Sequence, residues 1–153
     1  MQGAARRSAQ APVIRAVIDP GVLISAFIGR RDSGPDRIMR AWSEGAFELL
    51  ASPHLLSELA GVLARPKFTE QAAGGRADAY VAAIAGGAVL LDDPAEPEPV
   101  TADPDDDYLF ALARSGGAAL IDSGDRHLIE IPRPVPPVVT PRSFLTRLAK
   151  RSS

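Results

Sequence analysis

Short apolar runs rich in β-branched residues alternate along this 153-residue chain with segments of helical spacing, and that alternation restricts the fold more than any other feature. The strand-like runs are Val13–Ile18, Phe47–Ala51, Val89–Leu91, Ala119–Ile121 and Val138–Val139. Between the first two, Pro35–Glu44 carries Ile38, Met39, Ala41 and Trp42 as one stripe and stops at Gly45, a residue suited to the C′ position of a helix. Ser52-Pro53 and Thr140-Pro141 each place an N-cap hydroxyl before a proline at the first helical position. The first opens a helix with Leu55, Leu56, Leu59, Val62 and Leu63 inward; the second opens one with Phe144, Leu145 and Leu148 inward. Asp78–Ala85 and Asp107–Arg114 supply two more helices, the latter closed by Gly116-Gly117. Strands separated by helices of this size predict an α/β fold with a mostly parallel sheet covered on both faces.

Length and composition predict one domain over residues 13–149, preceded by a polar, Ala-rich flexible tail over residues 1–12. No apolar run approaches the ~20 residues that span a bilayer, and the first residues lack the apolar stretch of a secretory signal. The chain holds no cysteine, which excludes a disulfide framework, a thiolate metal site and a cysteine nucleophile. A cytoplasmic protein with no membrane association is expected. Net charge is −2, so no global basic field advertises nucleic acid. Acids are concentrated instead: Asp92, Asp93, Glu96, Glu98, Asp103, Asp105, Asp106 and Asp107 fall in one stretch without a basic residue.

The acids that matter are those at strand and helix ends. Asp19 ends the first strand-like run and precedes Pro20-Gly21-Val22-Leu23, so it lies beyond the carboxyl end of a strand, where open α/β sheets bind ligands. Helix capping alone is the competing role for it. Glu58 falls beside Leu55 and Val62 at the edge of a buried stripe, where a charge has to be paired, solvated in a cleft or bound to a cation. Asp103, Asp105, Asp106 and Asp107 run into Tyr108-Leu109-Phe110, more acids than a helix's first turn requires. Of the last two, Asp107 is favoured over Asp106 as the functional acid. Asp122, Ser123 and Asp125 follow the strand Ala118–Ile121, with a plain turn as the competing role for either aspartate. His54 and His127, the two histidines, read as boundary or surface residues, and Arg126 as a candidate phosphate contact.

In this order and spacing the motifs resemble the PIN-domain ribonucleases, specifically the toxin-like branch of bacterial toxin–antitoxin systems (VapC-like). Val17-Ile18-Asp19, Leu56-Ser57-Glu58-Leu59, Arg65-Pro66-Lys67-Phe68, Asp103–Ala113, Ser123-Gly124-Asp125 and Thr140–Leu145 carry the likeness from about Val13 to Leu148. Each motif alone is weak, and together they are specific. The resemblance implies a PIN-like three-layer α/β/α sandwich. It also implies Asp19, Glu58, Asp107 and Asp125 as both the catalytic and the metal-binding acids, with Asp106, Asp122 and Ser123 as secondary candidates.

The activity implied is an Mg²⁺- or Mn²⁺-dependent endoribonuclease that cleaves single-stranded or structured RNA. Such a protein would be neutralised by a small cognate antitoxin and could pair as a homodimer. Hard divalent cations accept a few carboxylates and keep several waters, which an all-acid set suits. One departure stands out: the family usually follows its first aspartate with a hydroxyl residue and an asparagine, where this chain has Pro20 and Gly21. The alternative is therefore a catalytically impaired PIN fold that binds RNA or protein. A third reading, an α/β phosphohydrolase with Asp19 as nucleophile, would want a second aspartate where Gly21 stands.

Overall fold

The computed structural model describes residues 13–152; the expected tail over residues 1–12 lies outside them. Five strands, β1 (Arg15–Ile18), β2 (Glu48–Ala51), β3 (Val89–Leu90), β4 (Leu120–Asp122) and β5 (Val138–Val139), form one sheet in the order β3-β2-β1-β4-β5. Every pairing is parallel, with Ala16 opposite both Leu49 and Leu120 in register. Each strand-like run of the sequence thus becomes a strand, trimmed or shifted by a residue or two. Consecutive strand residues point to opposite faces. Ala16, Val17 and Ile18 are all fully buried, so helices must cover both faces of the central strand. The result is a three-layer α/β/α sandwich.

The principal helices are α1 (Pro20–Ile28), α2 (Gly34–Ser43), α3 (Pro53–Leu63), α5 (Arg76–Gly87), α6 (Asp107–Ser115) and α8 (Pro141–Arg151). Single-turn segments α4 (Thr69–Ala72) and α7 (Arg126–Ile129) lie between them and carry too little periodic pattern to be read from sequence. The caps form as the sequence dictates. The hydroxyls of Ser52 and Thr140 accept from the backbone N–H groups of Leu55 and Ser143, each ahead of a proline at N1. Gly45 follows α2 at φ +83°, a conformation in which any side chain would be strained.

Helix α6 matters most for placing the site. Tyr108, Leu109, Phe110, Leu112 and Ala113 are all buried, and the helix packs across β1, β2 and β4. Burial of that apolar face fixes the direction in which its first turn presents acids. Phe47 and Phe144 close the far side of the core edge to face, their centroids 4.9 Å apart.

Candidate active site

The order of the sheet explains where the site falls. After β1 the chain builds outward through β2 and β3, then returns to the other side of β1 as β4 and β5. The strand order therefore reverses between β1 and β4, and connections from those two strands part there, leaving a crevice at their carboxyl ends. The residues at this point are Asp19, directly after β1, and Ser123-Gly124-Asp125, directly after β4.

Backbone and side chains bind the two ends together. The Asp19 N–H donates to the Asp122 carbonyl at 2.9 Å, extending the ladder to the strand ends. The Ser123 hydroxyl, fully buried, donates to Asp19 Oδ2 at 2.6 Å and accepts from the Asp125 N–H at 3.0 Å. One hydroxyl thereby links two acids that lie 106 residues apart in sequence. Each acid also caps a helix: Asp19 Oδ1 accepts from the Gly21 N–H at 2.9 Å, and Asp125 Oδ1 from the His127 N–H at 2.9 Å. The His127 ring nitrogen Nδ1 sits 3.1 Å from the same Asp125 oxygen. Capping accounts for one oxygen of Asp19 but not for the buried hydroxyl on the other.

Glu58 comes from α3 and is only partly exposed, as its place on the edge of the Leu55–Leu59 stripe requires. Its Oε2 accepts from the hydroxyl of Tyr108, the second residue of α6, at 2.6 Å. Asp106, at the start of α6, completes the group: its carboxyl is pushed up to about 6 by partial burial and by the negative charges of Asp103, Asp19, Asp125 and Glu58. The acids that act on it come from β1, α3, the stretch before α6 and the turn after β4. No arginine or lysine pairs with Asp19, Glu58 or Asp106 among the described residues.

Asp107 serves a different purpose from the one expected of it. It is 5% exposed, and its Oδ1 accepts from the N–H groups of Val100 and Thr101 at 3.0 and 2.8 Å. Burial acts to raise its carboxyl, but those bonds outweigh burial and hold it below the usual value. Asp107 thus anchors the incoming loop, while its neighbour Asp106 stands in the field of the other acids. Asp122 is also apart: it is fully buried in β4 with neither carboxylate oxygen hydrogen-bonded. Arg126 is exposed and pairs with Glu130 at 3.3 Å, the next turn of its own segment.

Two clefts flank the acids and share Asp125. One, of about 430 Å³, is lined by Asp19, Gly21, Ser25, Pro35 and Gly124. The other, of about 290 Å³, is lined by Thr101, Asp103, Asp106 and His127. An extended chain crossing from one to the other would pass over Asp125.

The donors are hard oxygens with uncompensated negative charge, the chemistry that a divalent cation such as Mg²⁺ or Mn²⁺ satisfies. Among the described residues no three acids are gathered closely enough to enclose an ion by themselves. A cation that keeps several waters and takes one or two carboxylates directly is the kind this spread of donors fits. Sequence reasoning passed over Tyr108, which reads as one more apolar residue of α6; a hydroxyl immediately following the acidic run was the available signal.

Comparison with known proteins bears on this arrangement. The family model for the PIN domain matches residues 15–127, most of the chain. No curated protein matches it. Among solved structures, the crystal structure of PAE2754 from Pyrobaculum aerophilum is similar, with a TM-score of 0.57 over 90% of each chain at 17% identity. At that identity the likeness concerns the fold.

Proposed function

The chain belongs to the PIN-domain family, whose fold is of nuclease type, and from that premise we propose that it is a metal-dependent endoribonuclease acting at Asp19, Glu58, Asp106 and Asp125. The observation that carries the reading is geometric: the buried Ser123 hydroxyl joins Asp19 and Asp125 at the switch point of the sheet, and Asp106 lines the same cleft as Asp125. Asp106 replaces Asp107 in this set for the reason given by the hydrogen bonds of Asp107. When bound, an Mg²⁺ or Mn²⁺ ion supplies Lewis-acid activation of water and charge stabilisation for phosphodiester hydrolysis.

The protein's own residues prepare that chemistry. Ser123 fixes the Asp19 carboxylate through its hydroxyl and the Asp125 backbone through the N–H it accepts, so the two residues keep a set relation before a cation arrives. Asp106 and Asp125 line a cleft open to a phosphate chain. Specificity for unpaired RNA would come from bases splayed into the flanking clefts. A cytoplasmic toxin role fits the resemblance of the motifs. A small antitoxin that silences such a site has to bring positive charge to it, and a homodimer would present two sites.

Pro20 and Gly21 favour a second reading, an impaired nuclease retained as a binding module, since neither offers a side chain to orient water beside Asp19. Cleavage of a mixed single-stranded RNA panel with Mg²⁺, with Mn²⁺ and with EDTA separates the two. Metal-dependent cleavage by the wild type that disappears in folded Asp19→Asn is the expected result. Folded wild-type protein that cleaves nothing under any metal would overturn it in favour of the binding module.

A further inference from the structure

Tyr108, like Ser123, is a buried hydroxyl in contact with the site. Only 2% of it is exposed, and its ring is sandwiched into the α6 face of the core. Its hydroxyl nonetheless reaches across to α3 and donates to Glu58 Oε2 at 2.6 Å, the length of a charge-assisted bond. The other face of its ring is covered by the imidazole of His54, stacked at 3.9 Å between centroids with the planes 22° apart. His54 is itself fixed through its backbone N–H, which donates to Asp93 Oδ2 at 2.8 Å. The phenol is therefore held on both sides, by the core behind α6 and by His54 at the start of α3.

We infer that Tyr108 is a positioning residue: it fixes Glu58 Oε2 and leaves Oε1, which has no hydrogen-bond partner among the described residues, as the oxygen offered to a divalent cation. The inference rests on the divalent site proposed above. Glutamate has three side-chain torsions, and an unrestrained one loses their freedom when it binds. A donor already in place removes that cost before the ion arrives.

A purely structural tyrosine would use Glu58 only to satisfy its own buried hydroxyl, and metal affinity distinguishes the two roles. Mn²⁺ alone is titrated by calorimetry into metal-free wild type, Tyr108→Phe, Glu58→Gln and the double variant, each checked for cooperative thermal unfolding. Phenylalanine keeps the ring and its stack with His54. Tyr108→Phe is expected to bind Mn²⁺ roughly tenfold or more weakly and to change nothing further in the Glu58→Gln background. Wild-type affinity in Tyr108→Phe, or an equal loss with and without Glu58, overturns the inference while leaving the divalent site standing. A wild type that takes up no Mn²⁺ overturns the site itself and this inference with it.

Discussion

Asp122 should make the protein less stable as pH rises, and replacing it with asparagine should remove that dependence. It occupies the last position of β4, in register with Ile18 on one side and Val139 on the other, with no exposure and no hydrogen bond to either carboxylate oxygen. Burial, followed by the negative charge of Asp19, pushes its carboxyl from 3.8 to about 7. Below about pH 4 both folded and unfolded chains hold the proton, and the residue contributes no pH dependence. Between there and pH 7 the unfolded chain releases its proton while the folded one retains it, so stability falls. Above pH 7 a constant penalty remains, at most about 4 kcal/mol at 1.36 kcal/mol per unit. Asparagine keeps the shape without the charge, and its unsatisfied amide is a cost that does not vary with pH. Thermal unfolding of wild type and Asp122→Asn, followed by circular dichroism at pH 4, 6 and 8, reads the difference. The variant should gain on the wild type steadily, by up to roughly 8–16 °C from pH 4 to 8, at the ~2–4 °C per kcal/mol of a domain this size. Two curves that stay parallel across that range would refute the buried, raised carboxyl.

Two further substitutions test separate parts of the site. Asp107→Ala strands the N–H groups of Val100 and Thr101 and should cost about 2–4 kcal/mol in chemical denaturation at pH 7; a loss within error of zero would show that the loop is anchored elsewhere. Gly21→Asn places a Cβ 3.6 Å from Asp19 Oδ1, an ordinary contact, so the variant should fold and melt no lower than the wild type; a drop of several degrees would show that the turn after Asp19 needs glycine.

The sheet was legible because its signals are local. Val17-Ile18 before Asp19, Ser52-Pro53 and Thr140-Pro141 each carry their strand end or cap within a few residues, and the structure uses them in that way. The assignment within Asp103–Asp107 was not legible, for a tertiary reason. Asp106 and Asp107 are neighbours in the first turn of one helix, and propensity does not distinguish them. What separates them is the return of the chain at Val100-Thr101, which brings two N–H donors to one carboxylate and leaves the other facing Asp19 and Asp125. Tyr108 was hidden for a similar reason: its position on the apolar face of α6 is a core signal, and only the approach of Glu58 on α3 makes its hydroxyl matter. Ser123, a secondary candidate by sequence, gains its place through a bond to a residue more than a hundred positions earlier.

Asp106 against Asp107 is the most direct test, because one stands among the other acids and the other is bonded to the incoming loop. RNA cleavage in Mn²⁺, with an EDTA control, is compared for wild type, Asp106→Asn and Asp107→Asn, each at a temperature where it is fully folded. Loss of cleavage to background in Asp106→Asn, with substantial activity kept in Asp107→Asn, is the expected result. Cleavage that survives in Asp106→Asn and vanishes in folded Asp107→Asn would contradict the site as drawn.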